Sequence, residues 1–371
     1  MKRKSDAISR RRLLQCSGAL GLTAAISPLM ERMVRPKSAF ATGRGAQLRV
    51  SAWGGVTQDS IKAYVQGEFE KQTGATIVYD IGGQGARFNK LLVQRVNPPA
   101  DVFFSTDETV VAGYRAGILI PSRRANIPNL ANLEDWSQTV KNLSTSTTVP
   151  GVPYTLIAYA LAYNPQNVKE KPTSWADMWR PEFRGKLAFV SPLHSQMPAF
   201  VITAAELAGG SASNVDPGFK KLAELKPEKL TVFWTDWAAL DKTGDVTLAT
   251  EFDYYLETMK NEKYPIEYVI PKEKAFASLE YASIVKGTPN QEIAEVFLNL
   301  LIDAKVQAAF ALNTYQGPVN KTVKLTDAQM ARCASGARVH QLRFFDPAMF
   351  VDKRPLWTER MNTEVVPNWR A

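Results

Sequence analysis

The sequence predicts an α/β fold in two packed units, each a mostly parallel sheet wrapped by helices. Three observations predict it. From Leu48 onward, strands and helices alternate in short regular units, the rhythm of a parallel sheet. Residues 150–165 (PGVPYTLIAYALAYNP) carry no charge and are bounded by Pro-Gly and Asn-Pro turn signals. Such a run reads as a long buried strand crossing from one unit to another. The chain past residue 41 is also long enough that a single core usually divides.

The first 41 residues read as a leader. Arg10-Arg11-Arg12 precede a modestly apolar run, Leu13 to Leu29, and Ala39-Phe40-Ala41 offers a small-x-small cleavage site. This is the pattern of a twin-arginine signal peptide, which sends the mature chain to the periplasm. A membrane anchor is disfavoured because Gln15, Ser17, Gly18, Gly21 and Pro28 interrupt the run. Gln15 and the nearby arginines argue against a lipidated Cys16. The chain's +9 charge is largely a leader property. Nine of 45 Lys/Arg and two of 36 Asp/Glu lie there, leaving 36 basic against 34 acidic residues. A balanced body makes no electrostatic case for nucleic acid. After cleavage only Cys333 remains, so no internal disulfide forms.

In the first unit, Leu48 to Ala52 reads as a strand ending at Trp53-Gly54-Gly55. A helix from about Thr57 places Ile61, Tyr64, Val65 and Phe69 on one face and stops at Gly74. Ala75 to Ile81 is a second strand. Gly82 to Gly85 then turns into a helix carrying Phe88, Leu91, Leu92 and Val96. Ala100 to Phe104 is a third strand, ending at Ser105-Thr106-Asp107, and the next helix closes at Gly117. Ligands of such sheets sit beyond the carboxyl ends of the strands.

These segments resemble a known family. SAWGG, FEKQTGATIVYD, PADVFFSTD, VPYTLIAYALAYNP and SWADMWRPEFRGKLAFVSP, in this order and spacing, are similar to the solute-binding proteins of ABC importers, polyamine and iron type. The resemblance runs from about Leu48 to Val319. It implies a type II periplasmic binding protein: two α/β lobes, a two-strand hinge, and ligand trapped by lobe closure. The expected boundaries are 42–153 and 269–330 for lobe 1, 154–268 for lobe 2, and 331–371 for helices docked outside. The implied partners are a small solute and an inner-membrane permease, with the binding protein a monomer.

In the second lobe, Leu187 to Val190 reads as a strand, and Ser195-Gln196 precede a helix over Ala199 to Ala208. A polar pair at a helix start offers side-chain groups and free backbone N–H groups. Leu230 to Trp234 and Val246 to Thr250 read as strands. Ile266 to Ile270 reads as the return crossing, and Phe276 to Val285 as a further strand carrying Glu280 and Tyr281. Asn290 to Leu312 reads as one amphipathic helix.

Signals for catalysis are sparse. The sequence has no Gly-x-Ser-x-Gly, no phosphate loop and no His-Glu-x-x-His, and His194 and His340 are far apart. No cofactor or resident metal is expected. The strand ends instead gather Trp53, Gly54, Thr106, Asp107, Ser195, Gln196, Trp234, Asp236, Glu251, Asp253, Tyr254 and Glu280 as candidate ligand contacts. Carboxylates pair with ammonium groups and aromatic faces attract cations, so the set suits an organic amine such as a polyamine. In an extended segment Glu251 and Asp253 share one face and Phe252 and Tyr254 the other, so all three of Glu251, Asp253 and Tyr254 cannot face the cleft. Two alternatives remain. Tyr254-Tyr255 resembles the tyrosine pair of ferric binders, although the Trp53 position supplies neither His nor Glu. Arg87 could hold the carboxylate of a zwitterion such as an amino acid or opine. An exported enzyme on the same fold is the competing class.

Overall fold

The computed structural model describes residues 43–137, 139–232 and 234–370. The leader reading of residues 1–41 lies outside the described residues, as does the side chain of Trp234. One long sheet runs through both lobes. Its main strands are β1 (Gln47–Ala52), β2 (Thr76–Ile81), β3 (Val102–Thr106), β4 (Val152–Tyr163), β5 (Leu187–Val190), β6 (Pro227–Thr231), β7 (Leu248–Phe252) and β8 (Ala275–Val285), in the order β2-β1-β3-β8-β4-β7-β5-β6, with three short strands paired off this path. The outer thirds are parallel: β1 pairs β2 and β3, and β5 pairs β7 and β6. Antiparallel β4 and β8 run side by side through the middle. All twelve residues of β4 are buried, as an uncharged Tyr- and Ala-rich run demands. Two separate cores flank this pair, one around Phe69, Phe104 and Phe297, the other around Trp175, Phe189 and Phe200.

The helices that frame the cleft are α1 (Gln84–Val93), α2 (Asp107–Arg115), α3 (Met197–Leu207) and α4 (Asp253–Asn261). Each begins at a strand end or in the loop just after it, so all four N-termini gather beyond the carboxyl ends of the strands.

Several expectations need correction. The segment Ile266 to Ile270 supplies only a short strand, Glu267–Val269, on the edge of β4; the return crossing is β8. A turn containing Lys274 at φ 75° separates the two runs, and pairing with β4 over seven residues selects the second. The Asn290 to Leu312 helix is two, α5 (Gln291–Leu301) and α6 (Ala304–Thr314), because Asp303 caps the second through the Lys305 amide at 2.9 Å. Tyr64 is exposed, because a π turn over Lys62–Gln66 keeps Ile61, Val65 and Phe69 inward and rotates Tyr64 out. Val96 lies past the end of α1 and is exposed. The tail does more than dock outside. Helix α7 (Pro347–Arg360) and the turns after it bury Phe350, Trp357, Met361, Val365 and Trp369 in the lobe 2 core.

Candidate functional site

The site begins with an irregularity in the hinge. Proline cannot donate a ladder hydrogen bond, so Pro153 sits where the β4–β8 register slips. Glu280 pairs with Thr155 and Tyr281 with Pro153, leaving Tyr154 as the extra residue of a bulge. The bulge aims Tyr154 at Glu280, and its hydroxyl donates to Glu280 Oε2 at 2.5 Å. Burial pushes the Glu280 carboxyl up to about 7, against the pull of the Tyr154 hydrogen bond and of Arg87.

Lobe 2 presents a second buried carboxyl. Glu251 lies on β7, and burial raises it to about 8, although the Phe252 amide donates to it at 2.9 Å. Tyr254 and Tyr255 lie 4.0 Å apart between ring centroids, tilted at 35°, at the start of α4. Burial holds both phenols up, Tyr255 to about 12, and Glu251 and Glu280 add to the effect on each. These four residues therefore share one electrostatic neighbourhood between the lobes. Among the described residues no group of three His, Cys, Asp or Glu is placed to hold a metal.

Beside this cluster, a small cavity opens between the lobes. It is lined by Thr106 and Asp107 of lobe 1, Ser195 and Gln196 of lobe 2, and Ser278 of β8, among others. Asp107 is half-buried and pushed up to about 7 by burial; Thr139 Oγ1 donates to it at 2.9 Å. Gln196 is buried at the start of α3, and its Oε1 has no hydrogen-bond partner among the described residues. A buried acceptor without a donor is costly unless something fills that role.

The remaining predicted residues divide. Trp53 is half-buried and lies 5.0 Å from the Arg87 guanidinium. Gly54 brings the chain so close to β2 that a Cβ there would stand 2.8 Å from Ile81. Thr106 is held by Gln84, whose Oε1 accepts from the Thr106 amide at 2.9 Å. Asp236 is exposed, accepts from the Val232 amide at 2.7 Å, and lies near enough to raise Glu251. Asp253 belongs elsewhere. Strand β7 ends at Phe252, so Asp253 is the first residue of a helix and the extended-face pairing with Glu251 does not hold. Its carboxylate accepts from the Ala158 amide at 3.0 Å and from Arg338 at 3.1 Å, tying β4 to the C-terminal segment.

Arg87 is likewise mostly occupied. Its guanidinium donates to the carbonyls of Gly82, Ser51 and Phe104 and sits between the Trp53 and Phe103 rings, stapling the ends of β1 and β3 to the turn after β2. Only Nη2 has no hydrogen-bond partner among the described residues. His194 is buried against Tyr159 and Phe252 and held down to about 3 by burial and by Arg354, which keeps it neutral. Sequence reasoning missed Thr139 and Tyr154 as polar partners. Thr139 gave no signal, and Tyr154 was hidden in an apolar run.

Two lobes that meet at a cavity, with buried carboxyls and aromatic rings nearby, have the arrangement of a solute-trapping protein. The sequence matches the bacterial extracellular solute-binding protein family over residues 66–333, and the chain belongs to that family. It is 26% identical over 253 residues to a spermidine/putrescine-binding periplasmic protein of Haemophilus influenzae, covering 66% of this chain and 68% of that protein. It is 26% identical over 234 residues to a gamma-aminobutyric acid-binding protein of Pseudomonas aeruginosa, covering 57% and 63%. The fold superposes on an ABC transporter crystal structure from Clostridium perfringens with TM-score 0.72 at 27% identity, covering 86% of this chain and 99% of that one. Members of this class are solute-binding components of ABC transporters. Among the described residues no helix is long and apolar enough to cross a membrane.

Proposed function

We propose that this protein captures a small organic amine, a diamine or polyamine, between its lobes and delivers it to an inner-membrane permease. It would act in the periplasm, reached by the twin-arginine route. One observation carries the reading. Glu251 and Glu280 are buried carboxyls, raised by burial, that form no ion pair among the described residues. An arriving ammonium supplies the missing charge, and the rings of Trp53, Tyr254 and Tyr255 suit the methylene chain between amino groups. The likeness to a spermidine/putrescine-binding protein supports the same class.

A zwitterion is the second reading. It is favoured by the unpartnered Nη2 of Arg87 and by the gamma-aminobutyric acid-binding relative. Thermal unfolding with putrescine, spermidine and gamma-aminobutyrate separates the two. A solute that binds only the folded state raises the melting temperature. A rise with putrescine or spermidine that Glu280→Gln removes supports the amine reading. A rise with gamma-aminobutyrate alone transfers the site to Arg87. No rise with any of the three rejects both.

A further inference from the structure

Helix α7 is seated on both lobes, and its two seats are unequal. Toward lobe 2, Phe350 and Trp357 are buried in the core. Toward lobe 1, only Ala348 and Val351 rest half-buried against the core. The rest of that second seat is ionic. Arg354 forks onto both carboxylate oxygens of Glu108, in the first turn of α2. The same guanidinium donates to the carbonyls of His194 at 3.1 Å and Ser195 at 2.9 Å, just before α3. Asp352 pairs with Arg115 in the last turn of α2 at 2.5 Å.

Separating the lobes must break one seat. The lobe 2 seat holds large buried rings, so α7 travels with lobe 2 and its contacts with α2 are the ones that part. The two pairs differ in weight. Arg115–Asp352 is exposed at 46% and 57%, and such pairs contribute little. Arg354–Glu108 is at 24% and 14%, better shielded and bidentate. Only a planar guanidinium can serve one carboxylate and two carbonyls at once.

We propose that Arg354 is a positioning residue for solute capture: carried by lobe 2, it grips Glu108 of lobe 1 beside the cleft and biases the lobes toward closure before solute arrives. The proposal rests on the solute-trapping reading only in requiring that the lobes part.

Small-angle scattering of the purified chain without solute tests it, comparing wild type with Glu108→Gln and Arg354→Lys. Glu108→Gln removes the cross-lobe charge and leaves the carbonyl bonds within lobe 2 in place. Arg354→Lys keeps the charge and loses the fork. Both variants should show a larger radius of gyration, reflecting a closed-to-open ratio lower by on the order of tenfold. High salt should expand wild type less than either substitution does, because the shielded pair resists screening and salt acts mainly on the exposed Arg115–Asp352 pair, which every variant keeps. Wild-type scattering from both variants at low salt, with melting temperatures showing them folded, overturns the proposal. No solute is present, so an error in the amine reading leaves the result intact.

Discussion

Glu280 faces two demands that conflict: it is buried, which favours its neutral form, and it is placed where a cation would need its charge. The conflict predicts a pH dependence. Its folded-state value, about 7, is above the ordinary carboxyl value, so between the two the folded protein holds a proton that the unfolded chain has lost. That stabilisation is complete below the ordinary value and is lost as pH rises through about 7. Glu251, at about 8, adds in the same direction. Melting of the solute-free protein should therefore fall as pH is raised across this window, and Glu280→Gln should flatten the slope. The solute contributes the opposite sign. An ammonium favours the carboxylate, so putrescine binding should release protons below about pH 7 and tighten as pH rises. Calorimetry in two buffers of different ionisation enthalpy reads that release directly. Equal heats in both buffers would remove Glu280 from the site.

At the scale of elements, the hinge is held by contacts that are remote in sequence. Gly317 exchanges two backbone hydrogen bonds with Leu156, at 2.8 and 2.7 Å, and a Cβ there would lie 1.9 Å from the Ala334 carbonyl oxygen. Gly317→Ala should cost at least about 2 kcal/mol, because backbone must move on both sides. Asp253 joins β4, α4 and Arg338 at one point, with its own side chain wholly buried. Asp253→Asn leaves the largely buried Arg338 without its counter-charge and should cost about 3 kcal/mol. Urea midpoints measure both losses. A neutral Asp253→Asn would show that the carboxyl belongs to the cleft and not to the hinge. Asp253 is pinned from beneath at the first residue of α4, and Tyr254 and Tyr255 follow it as one tilted ring pair.

At the scale of the whole molecule, the sheet is continuous while the cores are separate, so the lobes are joined chiefly by β4, β8 and the C-terminal segment. A solute touching both lobes gains all its contacts only when they are closed, and so shifts the population toward that state. The solute that raises the melting temperature should therefore lower the radius of gyration at saturation. Unchanged scattering with a bound solute would exclude closure as the capture mechanism.

Much of this was written locally. Alternating strands and helices, glycine and aromatic punctuation at strand ends, and the uncharged run through Tyr163 are patterns a few residues long. They determined the α/β class, the parallel halves and the crossing strand, and they put Thr106, Asp107, Ser195 and Gln196 at the strand and helix ends that line one cavity. Tertiary structure decided what depends on partners. Two short apolar runs competed to be the return crossing, and pairing with β4 chose the later one. Glu251 and Asp253 are two residues apart and both acidic, yet one is left without an ion pair and the other is bound by Arg338. Arg354 meets Glu108 across 246 positions. Periodicity reports which face of an element is apolar, because that is set by neighbours in the chain. Which charge meets which is set by packing between distant segments, and only the assembled fold contains that information.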